Sequence, residues 1–67
     1  MRVTRALVLS YMDRFNAHVS PDKRVKLKQW SGYYIILTAN NKEVYTGLTI
    51  REAYTCIRGM LYAIGQL

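Results

Sequence analysis

The sequence predicts an α+β fold in the order α-β-β-β-α, a three-stranded antiparallel sheet with two helices packed on one face. Apolar stripes with helical spacing lie near both ends of the chain. Between them, apolar and polar residues alternate, as is typical of half-buried strands. With 67 residues, the chain is large enough for only one small core, so we expect residues 1–67 to form a single domain.

The first helix is predicted over residues 4–19, with Thr4 as its N-cap. It is expected to end at the segment Ser20-Pro21-Asp22, because proline disfavours the helical conformation of the residue before it. Its apolar stripe consists of Val8, Tyr11, Met12, Phe15 and Val19.

The second helix is predicted over residues 50–64. Thr49 and Glu52 have the spacing of a capping box, in which each side chain accepts a backbone N–H of the other residue. Gly59 lies inside this helix at a cost of about 1 kcal/mol relative to Ala, and we expect it to allow close packing against the sheet. The apolar stripe consists of Ile50, Ala53, Tyr54, Ile57, Met60, Leu61 and Ile64.

Three strands are predicted within residues 24–46. The alternating segment from Val25 to Lys28 forms the first, residues 33–38 give the strongest strand pattern, and residues 43–46 return along it, with Gly47 closing the sheet. Two-residue hairpin turns are expected at Ser31-Gly32 and at Asn40-Asn41.

These turns divide the strand residues between two faces of the sheet. The expected pairs are Trp30 with Tyr33, Leu27 with Ile36, Leu37 with Val44, and Ile36 with Tyr45. One face carries Val25, Leu27, Tyr34, Ile36 and Tyr45. The other carries Lys26, Lys28, Trp30, Tyr33, Ile35, Leu37 and Val44. Because burying lysine is costly, we expect both helices on the first face and an exposed second face. A change of one residue in either turn would exchange the faces.

The charge of the chain favours a polyanionic partner. Ten Lys and Arg against four Asp and Glu give a net charge of +6. The first functional prediction is therefore nucleic-acid binding, either DNA or RNA, by cations that contact phosphates and aromatic rings that stack on bases. The predicted site comprises Lys23, Arg24, Lys26, Lys28, Trp30 and Tyr33, with Arg51 and Arg58 extending it from the second helix. The alternative for the lysines is that they only protect an edge strand from aggregation.

A protein-interaction module is the alternative function. An exposed apolar patch beside Trp30 and Tyr33 would bind a second copy of the chain or an acidic surface of a larger host protein. The predicted interface residues are Ile35, Leu37, Val44 and Tyr62.

Several classes of protein are not expected. The sequence has no nucleophile–base pair and no metal-ligand spacing, so neither an enzyme nor a cofactor is predicted. The longest apolar stretch, Tyr33 to Leu37, is far shorter than the roughly 20 residues that span a bilayer. Arg2 and Arg5 precede an apolar run that ends at Ser10, which we expect to be mature sequence rather than a signal peptide. A single cysteine, Cys56, favours a cytoplasmic location.

The element order is similar to that of the double-stranded-RNA-binding domain. In that family a lysine cluster opens the second helix and a Gly-Pro-x-His hairpin enters the minor groove. Here the helix opens with Thr49-Ile50-Arg51-Glu52, and the first turn is Ser31-Gly32. The resemblance therefore covers topology only, and that family's binding residues are not assigned to this chain.

A second resemblance involves the segment Trp30-Ser-Gly-Tyr-Tyr and the stretch from Gly47-Leu-Thr-Ile-Arg-Glu-Ala-Tyr to Gly59-Met60. Together, these segments resemble small orphan accessory proteins of phages and mobile elements of Gram-positive bacteria. The resemblance implies a viral protein that binds a host protein or nucleic acid, including inhibitors of host defence. It does not imply an enzyme.

Overall fold

The computed structural model describes residues 2–67, and its elements follow the predicted order. The elements are α1 (Arg5–Asn16), a one-turn 3-10 helix (Pro21–Lys23), β1 (Val25–Trp30), β2 (Tyr33–Thr38), β3 (Glu43–Leu48) and α2 (Ile50–Ala63). The three strands form one antiparallel sheet in the order β1-β2-β3. The predicted α+β class and α-β-β-β-α order are confirmed.

The core lies between the two helices and one face of the sheet. Each apolar stripe supplies three buried residues, and the sheet supplies two from the face predicted to be covered. The buried residues are Val8, Met12, Phe15, Val25, Ile36, Ala53, Ile57 and Leu61. Burial of each large side chain contributes about 1.5–3 kcal/mol to stability. The prediction that both helices pack on one face is confirmed.

The helix α1 begins as predicted, since the Leu7 N–H donates to the Thr4 hydroxyl at 3.2 Å. It ends at Asn16, three residues before the predicted boundary, and Val19 packs against the core from the following loop. The physical reason is the amide of Asn16. Its Nδ2 donates to the Val25 carbonyl and its Oδ1 accepts from the Val25 N–H, both at 2.9 Å. This pair of bonds holds the start of β1 against the end of α1.

The first hairpin turn is confirmed at Ser31-Gly32, where Trp30 lies opposite Tyr33 and Leu27 opposite Ile36. Both turn residues have positive φ, 52° and 81°. Positive φ at both central positions is the signature of the type I′ turn, whose twist matches that of the flanking strands.

The second hairpin differs from the prediction. Its loop has three residues, because the Thr38 N–H donates to the Lys42 carbonyl at 2.8 Å and Asn41 takes a positive φ of 62°. The two-residue turn at Asn40-Asn41 was therefore wrong, and so was the pairing of Leu37 with Val44: Glu43 lies opposite Leu37.

Two irregularities in β3 set its register. Ile36 still pairs with Tyr45, because Val44 is an extra residue that compensates for the longer loop. A second shift follows before Leu48 pairs with Tyr34. Gly47, at a φ of +66°, lies in this stretch, so it bends β3 rather than closing it.

The capping box that begins α2 is confirmed. The Thr49 hydroxyl accepts from the Glu52 N–H at 3.1 Å, and the Glu52 carboxylate accepts from the Thr49 N–H at 2.8 Å. The expected close packing at Gly59 is wrong, since Gly59 is exposed and a Cβ placed there would meet no atom within 4 Å.

Candidate nucleic-acid interface

The sheet face opposite the helices carries the exposed side chains of β1. Across β1 and β2, Trp30 pairs with Tyr33, Lys28 with Ile35 and Lys26 with Leu37. From β3, Glu43 lies opposite Leu37, and Thr46 lines a concavity together with Ile35 and Trp30. We call this surface the outer sheet face, which consists of Lys26, Lys28, Trp30, Tyr33, Ile35, Leu37, Glu43 and Thr46.

Two aromatic rings stand at one end of the outer sheet face. The fraction of each residue exposed to solvent is 69% for Trp30 and 55% for Tyr33. The type I′ turn between them sets the two residues directly opposite each other. Large aromatic residues this exposed are available to stack on a ligand.

A shallow concavity of about 280 Å³ lies beside this aromatic pair. Ile35, which is half-buried, is among its apolar lining residues, and Glu43 and Thr46 of β3 also line it. Gly47 also lines the concavity and has no side chain to fill it. The residues around the concavity thus include two aromatic residues, one glutamate and one threonine.

Lys26 and Lys28 continue the outer sheet face along β1. Both are exposed, and the Lys26 Nζ donates to Asn41 Oδ1 in the second hairpin loop at 2.6 Å. Residues on one face of a strand repeat at about 7 Å, twice the rise per residue. Lys26, Lys28 and Trp30 therefore form a row of two cations and one ring, with Lys26 next to the loop.

The other cations of the predicted site lie elsewhere. Lys23 belongs to the 3-10 helix that precedes β1. Arg24 turns toward α1, where its Nε donates to the Asn16 carbonyl at 3.1 Å. The structure therefore brings Lys26 and Lys28 together with the aromatic pair, and it leaves Lys23 and Arg24 at the margin.

Arg51 and Arg58 are exposed on α2, in the helix layer across the sheet from the outer face. The Arg58 guanidinium lies 5.5 Å from the centre of the Tyr54 ring, a cation–π contact. Tyr62, 75% exposed, lies on the same helix. These three residues form no continuous surface with Lys26 and Lys28.

Three predicted interface residues belong to the sheet but differ in their setting. Ile35 and Leu37 are half-buried on the outer sheet face, whereas Val44 is the extra residue of the β3 bulge and is exposed. Tyr45 was predicted on the covered face. It lies opposite buried Ile36, yet 46% of it is exposed, at an edge strand.

The sequence prediction missed Glu43 and Thr46. Glu43 lies on the outer sheet face because of the bulge at Val44, which alternation alone does not show. Thr46 follows Tyr45, whose pairing with Ile36 was predicted, so alternation was the available signal for Thr46.

Cys56 is half-buried on α2. Burial raises the pKa of its thiol, and the negative charge of Glu52 raises it further. A thiol with a raised pKa stays protonated at neutral pH and is a weak nucleophile. Within residues 2–67 no cluster of three or more His, Cys, Asp or Glu side chains could share a metal ion.

Comparisons with protein-family models, with curated proteins and with solved structures find no match to this chain. In the part of the chain that the structure describes, neither helix has the length and apolar character needed to cross a membrane. Function must therefore be inferred from the chemistry of the outer sheet face.

Proposed function

We propose that this protein binds nucleic acid through its outer sheet face. The observation that carries the proposal is the combination of exposed Trp30 and Tyr33 with exposed Lys26 and Lys28 on one side of the sheet. The net charge of +6 supports it, because a basic surface attracts the phosphate backbone over a distance and speeds association.

If the lysines contact phosphates, the affinity should depend on salt concentration in a way that can be calculated. Each contacted phosphate releases condensed counterions, so the association constant falls as a power of the salt concentration. For two to four contacts on a single strand, raising the salt from 50 to 200 mM should weaken binding roughly 7-fold to 50-fold. An interface held mainly by apolar contacts would change far less.

The test is a fluorescence-anisotropy titration of labelled single-stranded and duplex DNA and RNA at these two salt concentrations. Lys26→Glu with Lys28→Glu lowers the net charge from +6 to +2, since each substitution removes one positive charge and adds one negative charge. The matched control is Arg51→Glu with Arg58→Glu, which changes the net charge equally on the helix layer.

We expect the lysine variant to lose binding and the arginine variant to retain most of it. Equal losses in the two variants would show that only the total charge matters and would remove the outer sheet face as the site. No binding of any nucleic acid by the wild-type protein at low salt would contradict the proposed function.

An acidic surface of another protein is the second candidate partner. The exposed Trp30 ring favours it, because Trp is enriched at the energetic centres of protein interfaces. A homodimer joined through two outer faces is less favourable, since it would bring Lys26 and Lys28 of both copies together. If nucleic acid fails to bind, a host protein of the kind that phage inhibitors target is the next ligand to test.

A further inference from the structure

We infer that the nucleic acid bound by the outer sheet face is single-stranded, and that Glu43 selects bases that carry an exocyclic amino group. This inference rests on the proposed function and names its ligand. It comes from the breadth of the sheet, the exposure of the aromatic pair, and the presence of Glu43 among the residues that line the concavity.

The sheet is wider than the minor groove of a B-DNA duplex and, with its side chains, about as wide as the major groove. Three strands at a spacing of about 4.8 Å place the two edge strands about 10 Å apart before side chains are added. The minor groove of B-DNA is about 6 Å wide, and the major groove, about 12 Å wide, admits a helix or a two-stranded ribbon. A duplex would therefore fit this face less closely than a single strand, whose bases are free to lie on the sheet.

The aromatic pair has a partner only in an unpaired strand. In a duplex the faces of the bases are covered by their neighbours, whereas in a single strand they can lie on protein rings. Trp30 and Tyr33 expose their rings beside the row of Lys26 and Lys28. A strand whose phosphates follow the lysines would bring a base to the rings and to the adjacent concavity.

Glu43 is the residue of the concavity that can distinguish one base from another. An ionised carboxylate only accepts hydrogen bonds, and it repels phosphate, so its favourable partner in a nucleic acid is a base edge with donors. Cytosine, adenine and guanine each present an amino group, and carboxylates accept from cytosine N4 in known complexes. Thymine and uracil present one N–H flanked by two carbonyl oxygens. A carboxylate that approaches this N–H is repelled by both oxygens.

The experiment compares three probes at low salt: oligo-dC and oligo-dT of about ten nucleotides, a length within the site sizes of single-strand-binding sheets, and a blunt mixed-sequence duplex. We expect oligo-dC to bind at least about fivefold more tightly than oligo-dT, the lower limit for one good base contact. Both should bind more tightly than the duplex.

Two variants and one control assign these effects to residues. Trp30→Ala should weaken single-strand binding roughly fivefold to 150-fold, the range for loss of one stacked base. Glu43→Gln should remove the preference for oligo-dC, because an amide can both donate and accept. Asp13→Asn on α1 changes the charge by the same amount at an exposed position outside the face and should keep the preference. Circular dichroism checks that each variant is folded.

The outcomes separate the two proposals. If none of the probes binds at low salt, the proposed function itself is wrong. If the strands bind but oligo-dC and oligo-dT are equal, or Glu43→Gln keeps the preference, the role of Glu43 is overturned while the proposed function stands. Duplex binding as tight as single-strand binding, unaffected by Trp30→Ala, would overturn the single-strand inference alone.

Discussion

At the scale of single residues, the amide of Asn16 connects the helix layer to the strand that carries Lys26 and Lys28. Both backbone polar groups of Val25 bond to this amide at 2.9 Å. Because the N–H and C=O of a strand residue point to the same side, these groups face away from β2, and the amide takes the place of a neighbouring strand. Val25 itself is buried, so the two bonds satisfy groups that water would reach poorly.

Replacing Asn16 with Ala should lower the free energy of unfolding by about 1–3 kcal/mol, because it leaves both Val25 groups without partners. Urea unfolding followed by circular dichroism measures this loss. Asn40→Ala, at the exposed tip of the second hairpin, is the matched control and should stay within about 0.5 kcal/mol of wild type. If the two variants unfold alike, Asn16 does not support β1.

At the scale of elements, one glycine inside α2 and one just after it are in opposite situations. Gly59 is inside the helix, exposed, with open space where a side chain would be. Gly65 follows the helix at a φ of +75°. There its N–H donates to the Tyr62 carbonyl, and the Gln66 N–H donates to the Leu61 carbonyl. This is the Schellman arrangement that ends many helices, and it requires a residue that tolerates positive φ.

Substitution by Ala at the two glycines should therefore change the free energy of unfolding in opposite directions. Gly59→Ala should raise the free energy of unfolding by about 0.5–1 kcal/mol, because Ala restricts the unfolded chain and meets no clash in the helix. Gly65→Ala should lower it by about 1 kcal/mol, because Ala is strained at positive φ. Thermal unfolding should show shifts of several degrees upward and downward. A downward shift for Gly59→Ala would mean that this position packs against something.

The β2–β3 hairpin shows how far element patterns can be read from the sequence. The two strands were predicted, and so was the pairing of Ile36 with Tyr45. The turn was wrong by one residue, and the bulge at Val44 cancelled that error beyond it. Alternation could not reveal the longer loop or the bulge. The two shift the register in opposite directions, so the pairing of Ile36 with Tyr45 is the same as for a two-residue turn without a bulge.

At the scale of the whole molecule, stability and proposed binding use opposite sides of one sheet. Among residues 2–67, the core consists of eight buried residues between the sheet and the helices, and a chain of this size is stable by only about 3–10 kcal/mol. The two most exposed sheet aromatics, Trp30 and Tyr33, stand on the other side. Substitutions can therefore affect one property without the other.

Ile57 and Trp30 should respond differently to truncation. Ile57→Ala removes a fully buried side chain and should cost about 2–5 kcal/mol, whereas the milder Ile57→Val should cost about 0.5–1.5 kcal/mol. Trp30→Ala should change stability by less than about 0.5 kcal/mol, because the residue is mostly exposed. Chemical unfolding of the three variants measures these differences. A loss above about 1 kcal/mol for Trp30→Ala would show that the ring belongs to the fold.

The candidate site was predictable in part. Lys26, Lys28, Trp30 and Tyr33 were placed on one exposed face from alternation and from the turn at Ser31-Gly32, and the structure agrees. Arg51 and Arg58 were expected to extend the same surface, but the structure places them in the helix layer. The charge count of a sequence does not show on which side of the molecule each charge lies. Only the packing of α2 on the far side of the sheet separates these arginines from the lysines.

The sequence by itself determined the order of the elements, both N-caps, the two apolar stripes and the face that the helices cover. Each of these depends on residues a few positions apart, through side-chain periodicity or a local hydrogen bond. Only the tertiary structure decided the end of α1 at Asn16, the register of β3 and the place of Glu43 at the concavity. Those features depend on contacts between segments that are distant in the sequence. A longer loop or a bulge costs free energy, and this cost is offset only by the apolar side chains that the complete sheet buries.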